Sequence, residues 1–335
     1  MPYALEAAQL THIYNGRVRA IDGISFQVED GEAFGFLGPN GAGKTTAIKI
    51  FTTLLRPTSG RALVSGCDVV TQSGQVRRLI GYLPQQLTSD DTLTGYENLL
   101  FFAKLYDVPR ISREARIKEA LNMVELSERA GDMVKEYSGG MKRRLEMASV
   151  LVSRPRILFL DEPTLGLDPQ TRSCIWNYLG VLRREYGVTI FMTTHYMEEA
   201  DKVCDRVGII NQGNLVACDK PSTLKNEVGG DIIIIGLTDP DPAILDKVGK
   251  LPYVVSADMS TGSLRLTVRN GGEAAPLILE DLRNAGSRAS SILIEKPTLE
   301  DVFIKCTGRR LTDEVPSSMP TKAKGKARLA SRLRR

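Results

Sequence analysis

The sequence predicts an α/β domain built around a phosphate-binding loop (a P-loop) and carrying an all-helical insert, followed by a small α+β domain. Three observations carry this expectation. Residues 1 to about 225 alternate short apolar runs with helix-period segments, as strands and helices packed in layers do. Between 94 and 154 the strand-like runs stop, and apolar residues recur at three and four spacing with charges between them. After Pro221 the composition resets, and residues 231–302 read strand, helix, strand, strand, helix, strand, the βαββαβ order of a ferredoxin-like unit.

In chain order, the first strands are expected at 24–28 and at 33–37, the latter apolar or small throughout. Residues 46–55 then have helical spacing. Further strands are expected at 80–83, 157–160, 188–193 and 207–211, and the insert, about 86–154, holds helices at 97–105 and 113–126. In the second domain, 226–308, strands are expected at 232–237, 253–258, 263–269 and 291–295, with helices at 242–248 and 273–285. A Ser-Thr-Gly turn joins the two middle strands, and 299–305 forms one more short helix.

Gly38, Pro39, Asn40, Gly41, Ala42, Gly43, Lys44, Thr45 and Thr46 lie between the strand at 33–37 and the helix that follows. Glycines let the backbone curl so that amide N–H groups point at phosphate oxygens, with a helix N-terminus behind them. Lys44 adds a full positive charge, Thr45 offers a hydroxyl to Mg²⁺, and Thr46 can hydrogen-bond another phosphate oxygen. Alone, the loop says nucleotide and nothing narrower.

Two downstream stretches narrow it. Residues 157–163 read Ile-Leu-Phe-Leu-Asp-Glu-Pro, an apolar strand ending in adjacent carboxylates, a costly arrangement unless a cation meets them. Asp161 would hold Mg²⁺ through its shell, and Glu162 could take a proton from an attacking water. Residues 137–147 read Tyr-Ser-Gly-Gly-Met-Lys-Arg-Arg-Leu-Glu-Met: a helix start followed by three basic residues, expected to form an exposed anion site. Read by itself, the same stretch is a helix cap with a solvated basic face.

Composition sets outer bounds. A chain of 335 residues, 42% hydrophobic, can bury a core in more than one domain. Its longest purely aliphatic run, 232–235, is far too short to span a bilayer, and no secretory signal is expected from the N-terminus. Five scattered cysteines fit reduced thiols in a cytosol. The net charge of +4 hides an asymmetry: residues 321–335 hold seven Lys or Arg and no acid, and +4 less those seven leaves −3 for the first 320 residues. A basic tail, 309–335, is therefore expected to stay unfolded, either simply solvated or touching anionic lipid headgroups.

Together these motifs, in this order over residues 3 to about 225, resemble the nucleotide-binding subunit of an ATP-binding cassette (ABC) transporter. The resemblance implies ATP and Mg²⁺ as ligands and a dimer in which Ser138, Gly139 and Gly140 of one subunit contact the γ-phosphate held by the loop of another. It places Tyr14 against adenine, with a packed strand-end tyrosine as the competing reading. Gln85, followed directly by Gln86, stands where the family senses Mg²⁺ and the attacking water. Asp168 matches the loop that crosses the dimer interface, and His195 the histidine that reaches the γ-phosphate; His12 is left as structural. Tyr137 and Met141 depart from the commonest signature. With Lys142, Arg143, Arg144 and the ending at 297–303, they resemble a narrower group, the daunorubicin-resistance type of export ATPase.

That group implies a separately encoded permease of about six membrane helices per subunit, export of a hydrophobic drug or lipid-like compound, and a position on the cytoplasmic face of the membrane. The implied reaction is hydrolysis of ATP to ADP and phosphate. Lys44, the loop amides and Mg²⁺ offset phosphate charge, Glu162 orients or deprotonates the attacking water, Gln85 senses it together with Mg²⁺, and His195 reaches the γ-phosphate. A cassette ATPase acting on nucleic acid or ribosomes is the alternative, but the chain has no coiled-coil or zinc insertion and only one cassette, which disfavours nucleic acid as partner. Intact Glu162 and His195 argue against a module that binds ATP without turnover.

Overall fold

A five-residue run with no polar side chain must be covered on both faces, and Ala33–Leu37 is buried throughout. In the computed structural model, which describes residues 3–238, 243–260 and 263–308, this strand is β3. In chain order the first elements are β1 (Leu5–Tyr14), β2 (Val18–Val28), β3, α1 (Lys44–Phe51), β4 (Ser59–Val64), β5 (Cys67–Asp68), α2 (Ser73–Leu79) and β6 (Ile80–Leu83). The helices α3 (Gly95–Leu105), α4 (Arg110–Met123) and α5 (Gly139–Leu151) follow. Then come β7 (Ile157–Asp161), α6 (Pro169–Tyr186), β8 (Thr189–Thr194), α7 (Met197–Val203), β9 (Arg206–Asn211), β10 (Asn214–Asp219) and α8 (Pro221–Glu227).

Two sheets result. One is antiparallel, in the order β2-β1-β4-β5; the other, β10-β9-β3-β8-β7-β6, is parallel except for the edge strand β10. Helix α1 lies between them, and Ile48, Ile50 and Phe51 join a cluster with Phe26, Phe34, Phe36, Phe159 and Phe191. The rings of Phe34 and Phe191 stack at 5.7 Å, and those of Phe51 and Phe159 at 6.1 Å. Each such ring contributes about 1.5–3 kcal/mol by leaving water, so the helix behind the phosphate loop is fixed at its root.

The helical insert is present, with Leu99, Ala103, Ile117, Leu121 and Leu145 turned into the core it shares with the parallel sheet. A capping box at Thr94 and Glu97 starts α3. Tyr137, just before α5, is buried and its hydroxyl donates to the carbonyl of Arg129 at 2.6 Å. A side chain at Gly95 would overlap that hydroxyl, so the bulkier residue at the start of this signature goes together with a glycine on α3.

The C-terminal elements are β11 (Asp231–Leu237), α9 (Ala243–Val248), β12 (Val254–Ser260), β13 (Ser263–Val268), α10 (Gly271–Asn284), β14 (Ala289–Glu295) and α11 (Leu299–Thr307). Their antiparallel sheet, β12-β13-β11-β14, has the ferredoxin-like strand order. Ile233, Ile235, Leu264 and Leu266 meet Ile278 and Leu282 of α10 in a separate core. Helix α11 leaves that unit: Leu299, Val302 and Phe303 are buried in the main core with Leu224 and Val228. Asp301 caps α11 together with Thr298 and also pairs with Arg265 of β13.

The expected strands at 24–28, 33–37, 80–83, 157–160, 188–193 and 207–211 lie where strands are found, the first as the end of the longer β2. β1, β4, β5 and β10 were not foreseen. In β1 and β10 the alternation is broken by register shifts, within β1 where Gln9 has φ +47° and between Leu215 and Ala217 of β10, and β5 is only two residues long. The basic tail, 309–335, lies outside the described residues. Among the described residues no helix is long and apolar enough to cross a membrane.

Candidate active site

The phosphate loop starts where β3 ends and closes onto α1. Gly43 caps α1 with φ +111°, and a side chain there would overlap the carbonyl of Ala20. Gly38 is equally confined, by the carbonyl of Ile210. Lys44 is buried beneath the loop, and its Nζ donates to the carbonyls of Gly38 (2.7 Å) and Pro39 (3.0 Å). The loop is thus shaped around its own lysine, with the N-terminus of α1 aimed into it.

The tips of β7 and β8 face this loop because both strands run parallel to β3 in one sheet. Asp161 Oδ1 accepts from Thr45 Oγ1 at 3.2 Å and from Thr193 Oγ1 at 2.6 Å. Glu162 follows with φ +48°, left-handed for a residue with a long side chain. Its N–H donates to Thr193 Oγ1 (3.1 Å) and to the Thr193 carbonyl (3.2 Å). Its carboxylate lies between two nitrogens, with Oε1 3.5 Å from Lys44 Nζ and 3.3 Å from His195 Nδ1. Burial and the Asp161 charge push the nearby Tyr82 hydroxyl up to about 12.

Tyr14 reaches the same place from the antiparallel sheet, its hydroxyl 3.4 Å from Thr46 Oγ1. His12 is buried behind it, edge-on to the Tyr14 ring, with Nδ1 3.0 Å from the Arg56 carbonyl, which is a structural setting. Gln85 is exposed in the loop after β6 and makes no hydrogen bond among the described residues. Asp168 caps α6, accepting from Thr171 N–H (2.9 Å) and Thr171 Oγ1 (2.6 Å). Those bonds hold its carboxyl below the ordinary range. Ser138 caps α5 through Met141 N–H, and Ser138 and Gly139 are exposed. Among the described residues, Ser138, Gly139 and Gly140 make no hydrogen bond to the loop of their own chain.

One expectation needs correction. The basic residues after the signature do not form an exposed anion site. Lys142 pairs with Asp91 at 2.6 Å, and Arg144 Nη1 donates to the Val124 carbonyl at 3.1 Å. Arg143 is buried against backbone carbonyls and Glu146. Helix rotation decides which of three consecutive cations points inward, and composition does not encode it. The sequence reading also missed Thr193, Arg143 and Glu146. Its usable signals were the i,i+3 spacing of Arg143 and Glu146, and a strand threonine two residues before His195.

The ABC transporter family model matches residues 21–165, and a model described as the C-terminal domain of DrrA1-3-like ATP-binding proteins matches 220–307. The daunorubicin resistance ATP-binding protein DrrA2 of Streptomyces coeruleorubidus is 39% identical over 92% of this chain and 96% of its own length. This chain belongs to the ABC transporter ATP-binding subunits of the daunorubicin-resistance type. The linearmycin resistance ATP-binding protein LnrL of Bacillus subtilis (strain 168) is 36% identical over 92% of this chain and all of its own length. A dimeric, post-hydrolysis structure of the ATP-binding cassette MJ0796 bound to ADP and phosphate superposes with a TM-score of 0.58 at 27% identity. It covers 64% of this chain and 98% of that protein. This ABC subunit therefore binds and hydrolyses ATP as part of an export system with a dimeric ATPase and a membrane permease.

Proposed function

We propose that ATP is hydrolysed here by water activated at Glu162, in a site completed by a second copy of the chain. The observation carrying this reading is the Glu162 carboxylate lying between Lys44 Nζ and His195 Nδ1, at 3.5 and 3.3 Å, beside the phosphate loop. The loop amides and Lys44 bind the β- and γ-phosphates, Thr46 adds a hydrogen bond, and Tyr14 stacks on the base. Glu162 orients the water and takes its proton. His195 reaches the γ-phosphate. Ser138, Gly139 and Gly140 of the partner close over the nucleotide, with Asp168 at the crossing.

The residues at the start of α1 and the end of β7 fit Mg²⁺: a threonine hydroxyl and a carboxylate, hard oxygen donors, already lie 3.2 Å apart at Thr45 and Asp161. Thr45, Asp161 and Gln85 would hold the ion, which neutralises phosphate charge when bound.

The chain divides into an ATP-binding domain (1–225), an accessory segment (226–308) whose last helix packs back into the core of the first domain, and a basic tail (309–335). ATP favours the closed pair and hydrolysis releases it, and the helical insert passes that difference to a permease with about six membrane helices per subunit. The subunit sits on the cytoplasmic face of the cell membrane, with the tail against anionic headgroups. The relatives' resistance names favour a hydrophobic drug or lipid-like cargo. Replacing Glu162 with Gln tests the central assignment: the variant binds ATP, turns over far more slowly and accumulates as a dimer. Turnover near that of the parent chain would refute it.

A further inference from the structure

Arg143 is 5% exposed and reaches acceptors from two strand tips. Its Nε donates to the Pro163 carbonyl (2.9 Å) and Nη1 to the Pro84 carbonyl (2.8 Å). Nη2 donates to the carbonyls of Asp161 and Glu162, at 3.4 Å each. Asp161, Glu162 and Pro163 form the end of β7 and its continuation, and Pro84 is the first residue after β6. Glu146, one turn along α5 and 2% exposed, takes Nη1 at 3.2 Å through Oε2. Its Oε1 accepts from Thr88 N–H, from the Thr88 hydroxyl (3.3 Å) and from Ser89 N–H (3.3 Å). The loop 84–89, which carries Gln85, is thereby held at both ends from the signature helix.

A buried ion pair is weak grounds for stability, since an apolar pair of the same volume often serves as well. Geometry is what it supplies. A guanidinium carries its donors in one rigid plane, so it satisfies carbonyls from β6 and β7 together only while those tips keep a fixed separation. The backbone at Glu162 requires such support: a left-handed residue with a side chain persists only where its surroundings over-determine it. Thr193 holds its N–H, and Arg143 holds its carbonyl.

From this arrangement we infer that Arg143, anchored by Glu146, is a positioning residue. It ties the signature helix to the backbone of Glu162 and to the Gln85 loop, so that a tilt of α5 re-aims the Glu162 carboxylate. A signature that engages the partner's nucleotide would then adjust the base of its own site. This inference rests on the reading of Glu162 as the base.

The test uses the purified full chain with three changes: Arg143→Lys, the pair Arg143→Met with Glu146→Met, and Glu162→Gln. Turnover, KM for ATP and ATP affinity are measured at a temperature where circular dichroism shows each variant folded. The double-methionine chain removes both buried charges together, so neither is left unpaired, at the cost of the backbone groups they served, and the circular dichroism control selects the temperature at which it is folded. Its kcat is expected to fall by about 10- to 100-fold, with ATP affinity and KM within about twofold of the parent, because a misplaced base costs rate and not binding. Arg143→Lys, which retains charge but not the planar fork, falls between the two. A double variant with parental kcat overturns the inference, as does a loss in which kcat, affinity and melting temperature decline in proportion. If Glu162→Gln itself turns over normally, the base assignment fails instead; if it is inert while the double variant is active, only the role of Arg143 fails.

Discussion

Thr193 holds both acids of the site through one hydroxyl, and Thr193→Val removes that hydroxyl while keeping the shape. The side chain is fully buried, so valine leaves no cavity and water does not replace the lost bonds. Oγ1 donates to the Asp161 carboxylate at 2.6 Å, a charged acceptor worth about 1.5–3 kcal/mol, and accepts from Glu162 N–H at 3.1 Å, worth about 1 kcal/mol. The Glu162 N–H keeps the Thr193 carbonyl at 3.2 Å, so the second loss is partial. A net cost of about 3 kcal/mol results, and at about 2–4 °C per kcal/mol for a domain of this size the melting temperature drops by roughly 6–12 °C. Turnover falls as well, because Asp161 is freed to rotate and Glu162 is loosened at a left-handed position. A loss of about 10- to 100-fold in kcat is expected from misplacement on this scale. Thr193→Ser keeps the hydroxyl and should stay near the parent in both measurements. Differential scanning fluorimetry with a phosphate-release assay on the three proteins decides the matter. A valine variant that melts and turns over like the parent would refute the reasoning.

Three further outcomes follow from the packing. Phe303→Ala should cost about 3–5 kcal/mol, since its ring is buried in the main core, and should speed limited proteolysis of the linkers at 228–230 and 296–298. Burial holds the Glu199 carboxyl above its ordinary 4.5, with Thr164 and Arg172 opposing. Between the unfolded and the raised folded value the native state keeps a proton the unfolded chain has released, so the parent loses stability as pH rises through that window. Glu199→Gln keeps the acceptor for Thr164 Oγ1 at 2.7 Å and does not titrate; its melting temperature should gain on the parent from pH 4.5 to pH 8 in parallel thermal scans. Gly95→Ala should destabilise the parent and be partly rescued by Tyr137→Leu, with a coupling of about 0.5–3 kcal/mol in a double-mutant cycle read by denaturant titration.

What was legible in the sequence is what is local. The phosphate loop, the acidic strand end and the signature cap each lie within about ten residues, and their chemistry is set by neighbours along the chain. The parallel strands were legible because continuous apolar runs have no other home. Of the antiparallel sheet beside them only 24–28, within β2, was legible, since shifts of register in β1 disturb the period on which such a reading depends. The site's supporting residues were hidden for a different reason. Arg143 stands in a row of three cations and reads as solvated surface, yet its partners come from positions 20 and 59 residues away. Thr193 reads as an ordinary strand residue; only the parallel pairing with Asp161 gives its hydroxyl a task.

Helix α11 deserves a different description from its place in the chain. It packs on α8 and α7, and its apolar face completes the hydrophobic core of the ATP-binding domain. Residues between α8 and α11 therefore form a parenthesis: the chain leaves the first domain, builds a ferredoxin-like unit, and returns to close the same core. Cutting after residue 225 would not yield a minimal ATPase but one with Leu224 laid bare. Excising the ferredoxin-like unit between the two helices and rejoining them is the cleaner dissection. Because α7 begins just beyond His195, the accessory unit is also anchored to the helix that leads away from the nucleotide site. The residues that bury this clasp are Leu299, Val302 and Phe303, which sit in the core of the domain that binds the nucleotide although they lie far from the phosphate loop along the chain.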